Sequence, residues 1–370
     1  MKVINVRNRF EIYDDSLRVH NQLPVGSYIV RFDKMTGFYL ESYSDIEISE
    51  NKIYGVHLNK VDKVLKNFKL FNRNLGVILS GNKGIGKSLF AKLLAKKAIE
   101  SGYPLIVVDS FIPGIASYLE TIQQEVIVLF DEFDKTFADI SVGDNETSPQ
   151  ASLLSLFDGI SVGKKLFVVT CNNLYKLNDF LINRPGRFHY HFRFEYPSDN
   201  EIREYLNDKL DDKYKNEIEK VVMFSGKVNL NYDCLRAIVF ELNTGETFEN
   251  AIADLNIMNM DAEKYNVVLS FTNGYTMTMN NISLDMFNSS DTESVSVRSN
   301  NGKAFIDVEF NPKFAMYNSI KNCYTIDVSN LNVFYDEEYS NAEELEKIKT
   351  YEIDSLNIQR AQDKNLHYLV

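Results

Sequence analysis

Residues 75–88 read LGVILSGNKGIGKS, and this stretch decides the fold. Its first six residues are an apolar run typical of a buried strand, and the last eight match the pattern G-x-x-x-x-G-K-[ST] in full. A helical segment follows from Lys87 to Ser101 and ends at Gly102. A loop between such a strand and helix surrounds a phosphate with backbone N–H groups and with the helix N-terminus. We therefore predict a phosphate-binding loop.

The two residues that close the loop have separate predicted roles. Lys87 would reach the β- and γ-phosphates of ATP, and Ser88 would ligate Mg²⁺. We predict ATP and Mg²⁺ as the ligands of this site. The predicted nucleotide-binding residues of the loop are Gly81, Asn82, Lys83, Gly84, Ile85, Gly86, Lys87, Ser88 and Leu89.

A second motif, which ends in acidic residues, follows about 45 residues after the phosphate-binding loop. VIVLFDEFD, residues 126–134, is a buried-strand pattern that ends in acidic residues. Open α/β sheets bind ligands at the carboxyl ends of their strands. We predict that Asp131 holds Mg²⁺ through its water shell and that Glu132 polarises the attacking water.

The remaining apolar runs complete an α/β sheet. They occur at 105–108 (LIVV) and 166–170 (LFVVT), with YHFRF at 190–194 as an edge strand. Continuous apolar strands separated by helices indicate a parallel sheet that is covered on both faces. We predict a five-stranded parallel core.

Four motifs in this order resemble the AAA ATPases. LINRPGRF (181–188) resembles the R-P-G-R segment of that family, and LLSLFDGI (153–160) resembles its helix that ends in Leu-Asp-Gly. LFVVTCNN (166–173) resembles its fourth strand, which carries the sensor-1 asparagine. The resemblance covers about residues 53–195. A short insert between the second and third strands most resembles the Bcs1-like branch and phage-encoded AAA ATPases.

The resemblance implies further site residues. Asn172 matches the sensor-1 position, with Asn173 as the alternative. Arg184 and Arg187 match the arginine fingers, which place positive charge beside the γ-phosphate of a neighbouring subunit. Either arginine could instead be a salt-bridged scaffold residue.

Three more sites each have two possible interpretations. Tyr54 and Gly55 lie where AAA proteins place an adenine-contacting turn, although a plain strand-to-helix turn fits as well. Arg236 matches a sensor-2 arginine that reaches the γ-phosphate, or is a surface residue of a helix. Phe111 and Ile112 form a short hydrophobic pore finger or belong to the core.

The pattern of elements predicts four regions. We expect a β-rich N-terminal domain at 1–51, the ATPase core at 52–197, a helical lid at 198–260 and a β-rich C-terminal domain at 261–370. The lid segments are EIREYLNDKL, NEIEKVVMF, YDCLRAIVFEL and FENAIADLNIM. The polar, turn-rich segment 138–150 is interpreted as a mobile loop.

Composition limits the class of protein. Of 370 residues, 44% are hydrophobic and 25% charged, which is ordinary for a soluble globular protein. No apolar stretch has the length of a membrane span and the N-terminus has no signal core, so we expect a cytoplasmic location. The three cysteines lie far apart in the sequence and match no metal-ligand spacing. We therefore expect reduced thiols in or near the core. The net charge of -12 argues against a protein that coats nucleic acid.

These observations define the expected function. We expect a homo-oligomeric ring, hexameric by the resemblance, that hydrolyses ATP and remodels or moves a macromolecule, protein in preference to DNA. A DNA-processing motor or loader is one alternative. A nucleotide-controlled structural assembly with slow hydrolysis is the other.

Overall fold

The chain folds into two units, Met1–Glu195 and Tyr196–Val370. The computed structural model describes residues 1–6, 9–43, 54, 57–138, 149–158, 163–182, 184, 186–257, 264–287, 292–318 and 321–361. Among these residues, no helix combines the length and the apolar character needed to cross a bilayer. All three cysteines are free thiols, buried or half-buried, as predicted.

The first unit is built on a mainly parallel sheet whose buried strands are the predicted apolar runs. Strands with both faces covered need apolar side chains at successive positions, and four of these five strands are almost entirely buried. Across the sheet they follow the order β6, β7, β8, β5 and β9. The parallel strands are β5 (Leu75–Ser80), β6 (Leu105–Val108), β7 (Val126–Phe130), β8 (Lys165–Cys171) and β9 (Tyr190–Arg193).

Two strands from the N-terminal region extend this sheet beyond the five that we predicted. β3 (Ser27–Asp33) pairs in parallel with β6, and β4 (Gly37–Ser42) pairs antiparallel with β3. A separate hairpin consists of β1 (Lys2–Val6) and β2 (Arg9–Tyr13). Because β3 is hydrogen-bonded to a core strand, the N-terminal region contributes directly to the sheet that carries the site.

Helices cover the sheet of the first unit. In α1 the apolar residues Val61, Val64 and Phe68 recur three and four apart and are fully buried. Shorter helices lie in the connections between the strands. The helices are α1 (His57–Leu70), α2 (Lys87–Glu100), α3 (Ile115–Glu120), α4 (Phe133–Thr136), α5 (Pro149–Ser152), α6 (Leu154–Phe157) and α7 (Asp179–Ile182).

The predicted mobile loop 138–150 falls mainly on residues 139–148, which lie outside the described residues. Pro149 and Gln150, which we assigned to that loop, instead begin α5. The Gln150 side chain is fully buried. A polar residue can be buried here because its side-chain amide forms hydrogen bonds with the backbone of residues 176 and 178. Polarity alone therefore does not place Gln150 in a surface loop.

A close backbone crossing fixes the segment that carries the two arginines. A Cβ atom on Gly76 of β5 would meet the Arg187 carbonyl oxygen at 2.2 Å. The Gly76 carbonyl accepts a hydrogen bond of 2.9 Å from the His189 N–H. Only glycine permits this approach, so β5 positions both the phosphate loop at its end and the Arg187–Phe188 backbone at its side.

Four helices begin the second unit, and polar caps start three of them. Ser198 forms a capping box with Glu201, and the side chains of Asn231 and Thr247 accept hydrogen bonds from the first turns that follow them. The helices are α8 (Asp199–Lys209), α9 (Ile218–Ser225), α10 (Tyr232–Thr244) and α11 (Phe248–Asp254).

An antiparallel sheet of eight strands completes the second unit. Its strands alternate buried and exposed residues, and α12 (Ala342–Lys349) adds Leu345 and Ile348 to the same apolar core. The order across the sheet is β14, β15, β17, β10, β11, β12, β13 and β16. The strands are β10 (Lys264–Phe271), β11 (Thr276–Ser283), β12 (Glu293–Arg298), β13 (Phe305–Phe310), β14 (Met316–Asn318), β15 (Cys323–Asp327), β16 (Leu331–Tyr335) and β17 (Ile353–Arg360).

Side chains of this sheet hold the carboxyl end of α9. The Tyr324 hydroxyl donates to the Met223 carbonyl, and Arg360 Nη1 donates to the Ser225 carbonyl at 2.6 Å. A Cβ atom on Gly226 would meet the Tyr324 ring at 2.9 Å. Carbonyls at a helix end lack partners within the helix, so the sheet satisfies groups that would otherwise be exposed.

Candidate nucleotide-binding site

The loop between β5 and α2 has the backbone conformation that a phosphate cradle requires. Gly81, Gly84 and Gly86 adopt φ values of 142°, 74° and 98°, in a region that side chains disfavour. A Cβ atom on Gly81 would also meet the Phe194 carbonyl oxygen at 2.3 Å. Gly86 begins α2 without a side-chain cap, which leaves the first N–H groups of that helix available to an anion.

Lys87 lies inside this loop. Its side chain is buried, and Nζ donates to the carbonyls of Gly81 at 2.6 Å and Asn82 at 2.5 Å. Burial lowers the pKa of Lys87, while nearby acidic groups, among them Asp131, act in the opposite direction. A desolvated ammonium at the centre of a backbone loop is suited to bind a polyphosphate.

Thr170 of β8 fixes both acidic residues at the end of β7. Its Oγ1 donates to Asp131 Oδ1 at 2.6 Å and accepts the Glu132 N–H at 2.8 Å. Glu132 has a φ of 46°, which is uncommon for a residue other than glycine and is seen most often at functional sites. The sequence did not identify Thr170, although its place one strand away from the acidic pair is a usable signal.

The Glu132 carboxylate is oriented by charge. Lys135 Nζ donates to it at 2.6 Å, and both side chains are about half exposed. This hydrogen bond is the largest cause that lowers the pKa of Glu132, and the Asn172 amide and Lys83 contribute in the same direction. The carboxylate is therefore held ionised, the state in which it can accept a proton from water.

The side-chain amide of Asn172 lies beside Glu132. Among the residues that the structure describes, Asn172 Nδ2 is buried and makes no hydrogen bond of normal geometry. The alternative residue, Asn173, uses its side-chain oxygen to cap the turn at Tyr175. The buried carboxylate of Asp134 accepts from the backbone N–H groups of both asparagines, at 3.1 and 3.0 Å. The geometry thus favours Asn172 over Asn173 as the group that contacts a ligand.

The predicted magnesium ligands fit the metal in chemistry. Ser88 is exposed in the first turn of α2, and Asp131 is half-buried at the end of β7 with Oδ1 held by Thr170. Hydroxyl and carboxylate oxygens are ligands that Mg²⁺ prefers, with water and phosphate oxygens completing the set. Asp131 and Ser88 are the residues that would hold the ion.

The two candidate arginines have opposite environments. Arg187 is buried, and its Nη2 donates to Asp158 Oδ2 at 2.7 Å while Nη1 donates to the Phe180 carbonyl at 2.7 Å. The Arg184 side chain is 61% exposed and reaches Asp158 only at 4.0 Å. This arrangement favours the scaffold alternative for Arg187 over the finger role, because its guanidinium is already occupied within its own chain. Arg184 stays the candidate finger.

Comparison with known proteins decides what kind of site this is. The family model described as ATPase family associated with various cellular activities (AAA) matches residues 77–196, from β5 to just past β9. These residues form an AAA ATPase domain. The match covers the phosphate loop, the acidic pair, Asn172 and both arginines.

Similar proteins share the name proteasome-associated ATPase. Those of Mycolicibacterium vanbaalenii and Mycolicibacterium gilvum are 26% and 27% identical over 219 residues, covering 51% of this chain and 36% of each relative. That of Rhodococcus erythropolis is 27% identical over 222 residues, with 51% and 37% covered. The chain spans little more than a third of the length of these relatives. None of these three tests the finer Bcs1-like and phage-like resemblance, which stays a prediction.

The remaining predicted site residues lie at separate places along the chain. Tyr54 is buried, whereas Gly55 lies outside the described residues, so the adenine contact stays a prediction. Arg236 belongs to α10 in the second unit, where it pairs with Asp233 at 3.3 Å, and its sensor-2 role also stays a prediction. Phe111 packs against the core, with its ring 5.7 Å from that of Phe137. The core interpretation of Phe111 is therefore favoured over a pore finger.

Proposed function

We propose that the chain assembles into a ring in which the AAA domain hydrolyses ATP and Arg184 of one subunit completes the site of the next. The observation that carries this proposal is the contrast between the two arginines. A finger must be exposed and only weakly held in its own subunit, and Arg184 meets both conditions. The head-to-tail contact implied by such a finger closes into a ring.

The residues of the site have separate tasks in the proposed reaction. Lys87 and the loop N–H groups bind the polyphosphate, and Glu132 accepts a proton from water as the water oxygen bonds to the γ-phosphorus. The bond from the γ-phosphorus to the bridging oxygen breaks, which gives ADP and phosphate. When bound, Mg²⁺ supplies positive charge at the β- and γ-phosphate oxygens. Asn172 Nδ2, which is buried without a hydrogen bond of normal geometry among the described residues, would donate to the water or to the γ-phosphate.

The proposed purpose of hydrolysis is to remodel or move a protein. This rests on the proteasome-associated ATPases, which are relatives through about half of this chain. A ring of six subunits is the proposed assembly. Turnover that rises when an unfolded protein is added would support this substrate class, and turnover that does not respond would count against it.

A DNA-processing motor is the second candidate, because positive charge is concentrated in one part of an acidic chain. Residues 57–100 contain ten lysine and arginine residues and two acidic ones, although the net charge of the chain is -12. Lys63, Lys66 and Lys69 of α1 are all exposed. A row of exposed lysines of this kind can contact the phosphates of a nucleic acid. Stimulation of turnover by DNA, weakening steeply with salt, would favour this candidate over protein remodelling.

Two substitutions test the proposed hydrolysis. Glu132→Gln should bind ATP normally but lower turnover by about a hundredfold or more, because water activation is lost while phosphate contacts survive. Lys87→Ala should weaken ATP binding by about tenfold to a hundredfold through loss of a charged hydrogen bond. Calorimetry and phosphate release measure the two effects.

The exposed lysine Lys92 on the same helix supplies the matched control. Lys92→Ala should leave ATP binding and turnover unchanged. Near-normal turnover in Glu132→Gln would remove Glu132 from the mechanism. Unchanged ATP binding in Lys87→Ala would show that the loop does not bind the phosphates.

A further inference from the structure

The segment that carries Arg184 is held by buried polar side chains. We call the described residues 174–182, 184, 186 and 187 the arginine segment. The amide of Gln150, fully buried, donates to the Lys176 carbonyl at 2.8 Å and accepts the Asn178 N–H at 2.7 Å. These bonds fix the first half of the segment to α5.

The backbone around Phe180 is fixed as well. Its N–H donates to Asn178 Oδ1 at 2.9 Å, and its carbonyl accepts from Arg187 Nη1 at 2.7 Å. Arg187 is itself held by Asp158. Both polar backbone groups of Phe180 therefore have partners within the chain, and its side chain projects from a rigid support.

Large side chains nevertheless point outwards from this rigid segment. Tyr175 is 91% exposed and Phe180 is 64% exposed, on the same segment as the exposed Arg184. Because the backbone that carries these rings is already fixed, burying them costs only the rotamer freedom of two side chains with few rotatable bonds. Aromatic residues and arginine are also the types that dominate binding energy at protein interfaces.

We propose that Phe180 and Tyr175 are the apolar anchor by which the arginine segment docks on a second copy of this chain. This inference rests on the proposed function and names the surface that the ring would use. Charge complementarity favours a second copy as the occupant: Arg184 is an exposed cation, and the nucleotide site of the second copy contains the carboxylates of Asp131 and Glu132 and would hold the phosphates of ATP. The aromatic rings supply affinity, and Arg184 supplies charge to the reaction.

This division of labour predicts two different defects. Phe180→Ala should weaken assembly by about tenfold or more, because an anchor ring no longer becomes buried between subunits. Its turnover should return towards the wild-type value when the protein concentration is raised. Arg184→Ala should keep turnover low at every concentration. Sedimentation with a non-hydrolysable ATP analogue and Mg²⁺, together with phosphate release over a concentration series, measures both.

Phe240 provides the matched control, since it is 66% exposed on α10 of the second unit. Phe240→Ala should assemble as the wild type does. Tyr175→Ser is the second test variant, because so exposed a side chain can be changed without loss of the fold. Assembly of both Phe180→Ala and Tyr175→Ser at wild-type concentrations would overturn the anchor. A wild-type protein that stays monomeric with the analogue would instead overturn the proposed ring itself, and the anchor with it.

Discussion

Arg187 and Asp158 form an ion pair that we expect to support the site without taking part in its chemistry. Arg187→Ala should lower the free energy of unfolding by about 2–3 kcal/mol, because it leaves Asp158 and the Phe180 carbonyl without their donors. Arg184→Ala is the control and should change it by less than about 0.5 kcal/mol. Urea unfolding followed by circular dichroism provides the comparison. Equal stability of the two variants would contradict the scaffold role.

The same pair should respond to pH in a defined direction. The hydrogen bonds from Arg187 hold the pKa of Asp158 below its ordinary value of 3.8. A lowered folded pKa adds stability that is present above pH 3.8 and is lost as the pH falls through the folded pKa. The stability difference between wild type and Arg187→Ala should therefore shrink in that acidic window.

At this scale, contiguous motifs could be predicted and distant partners could not. The phosphate loop and the acidic pair are read directly because their chemistry lies in neighbouring residues. Asp158, by contrast, lies 29 residues from Arg187, and only the folded chain brings the two together. Arg184 and Arg187 fit the finger motif equally well in the sequence. Only the burial of their side chains in the folded chain distinguishes them.

At the scale of elements, α9 depends on the sheet that follows it in sequence. Tyr324→Phe should speed hydrogen exchange in the last turn of α9 by about fivefold to a hundredfold, because the Met223 carbonyl loses its side-chain donor and keeps, of the donors that the structure describes, only the Gly226 N–H. Tyr339, 73% exposed, gives the control Tyr339→Phe, which should exchange as the wild type does. Exchange that is unchanged in Tyr324→Phe would mean that the sheet does not stabilise this helix end.

Elements with a strong local pattern could be predicted, and their long-range pairings could not. The apolar runs at 105–108 and 126–130 coincide with β6 and β7. The addition of β3 to β6 was missed because hydrogen bonding between strands far apart in the chain leaves no local pattern. The burial of Gln150 was missed for the same reason.

At the scale of the whole molecule, the proposed completion of the site by a second copy would make activity a property of the assembly. The AAA domain supplies the phosphate loop, the acidic pair and Asn172 in one subunit, and the proposed contribution of Arg184 comes from the next. Assembly and turnover should therefore change together when the subunit contact is weakened. Arg184 can be tested separately from assembly, because the proposed anchor residues are Phe180 and Tyr175 and not Arg184.

The most direct test mixes two inactive proteins, Arg184→Ala and Glu132→Gln, in equal amounts with verified subunit exchange. About one site in four should then combine an intact Glu132 with an intact neighbouring Arg184, which occurs in neither parent. We predict that phosphate release returns in the mixture. If labelled subunits exchange and the mixture stays as inactive as its parents, Arg184 does not act on a neighbouring site.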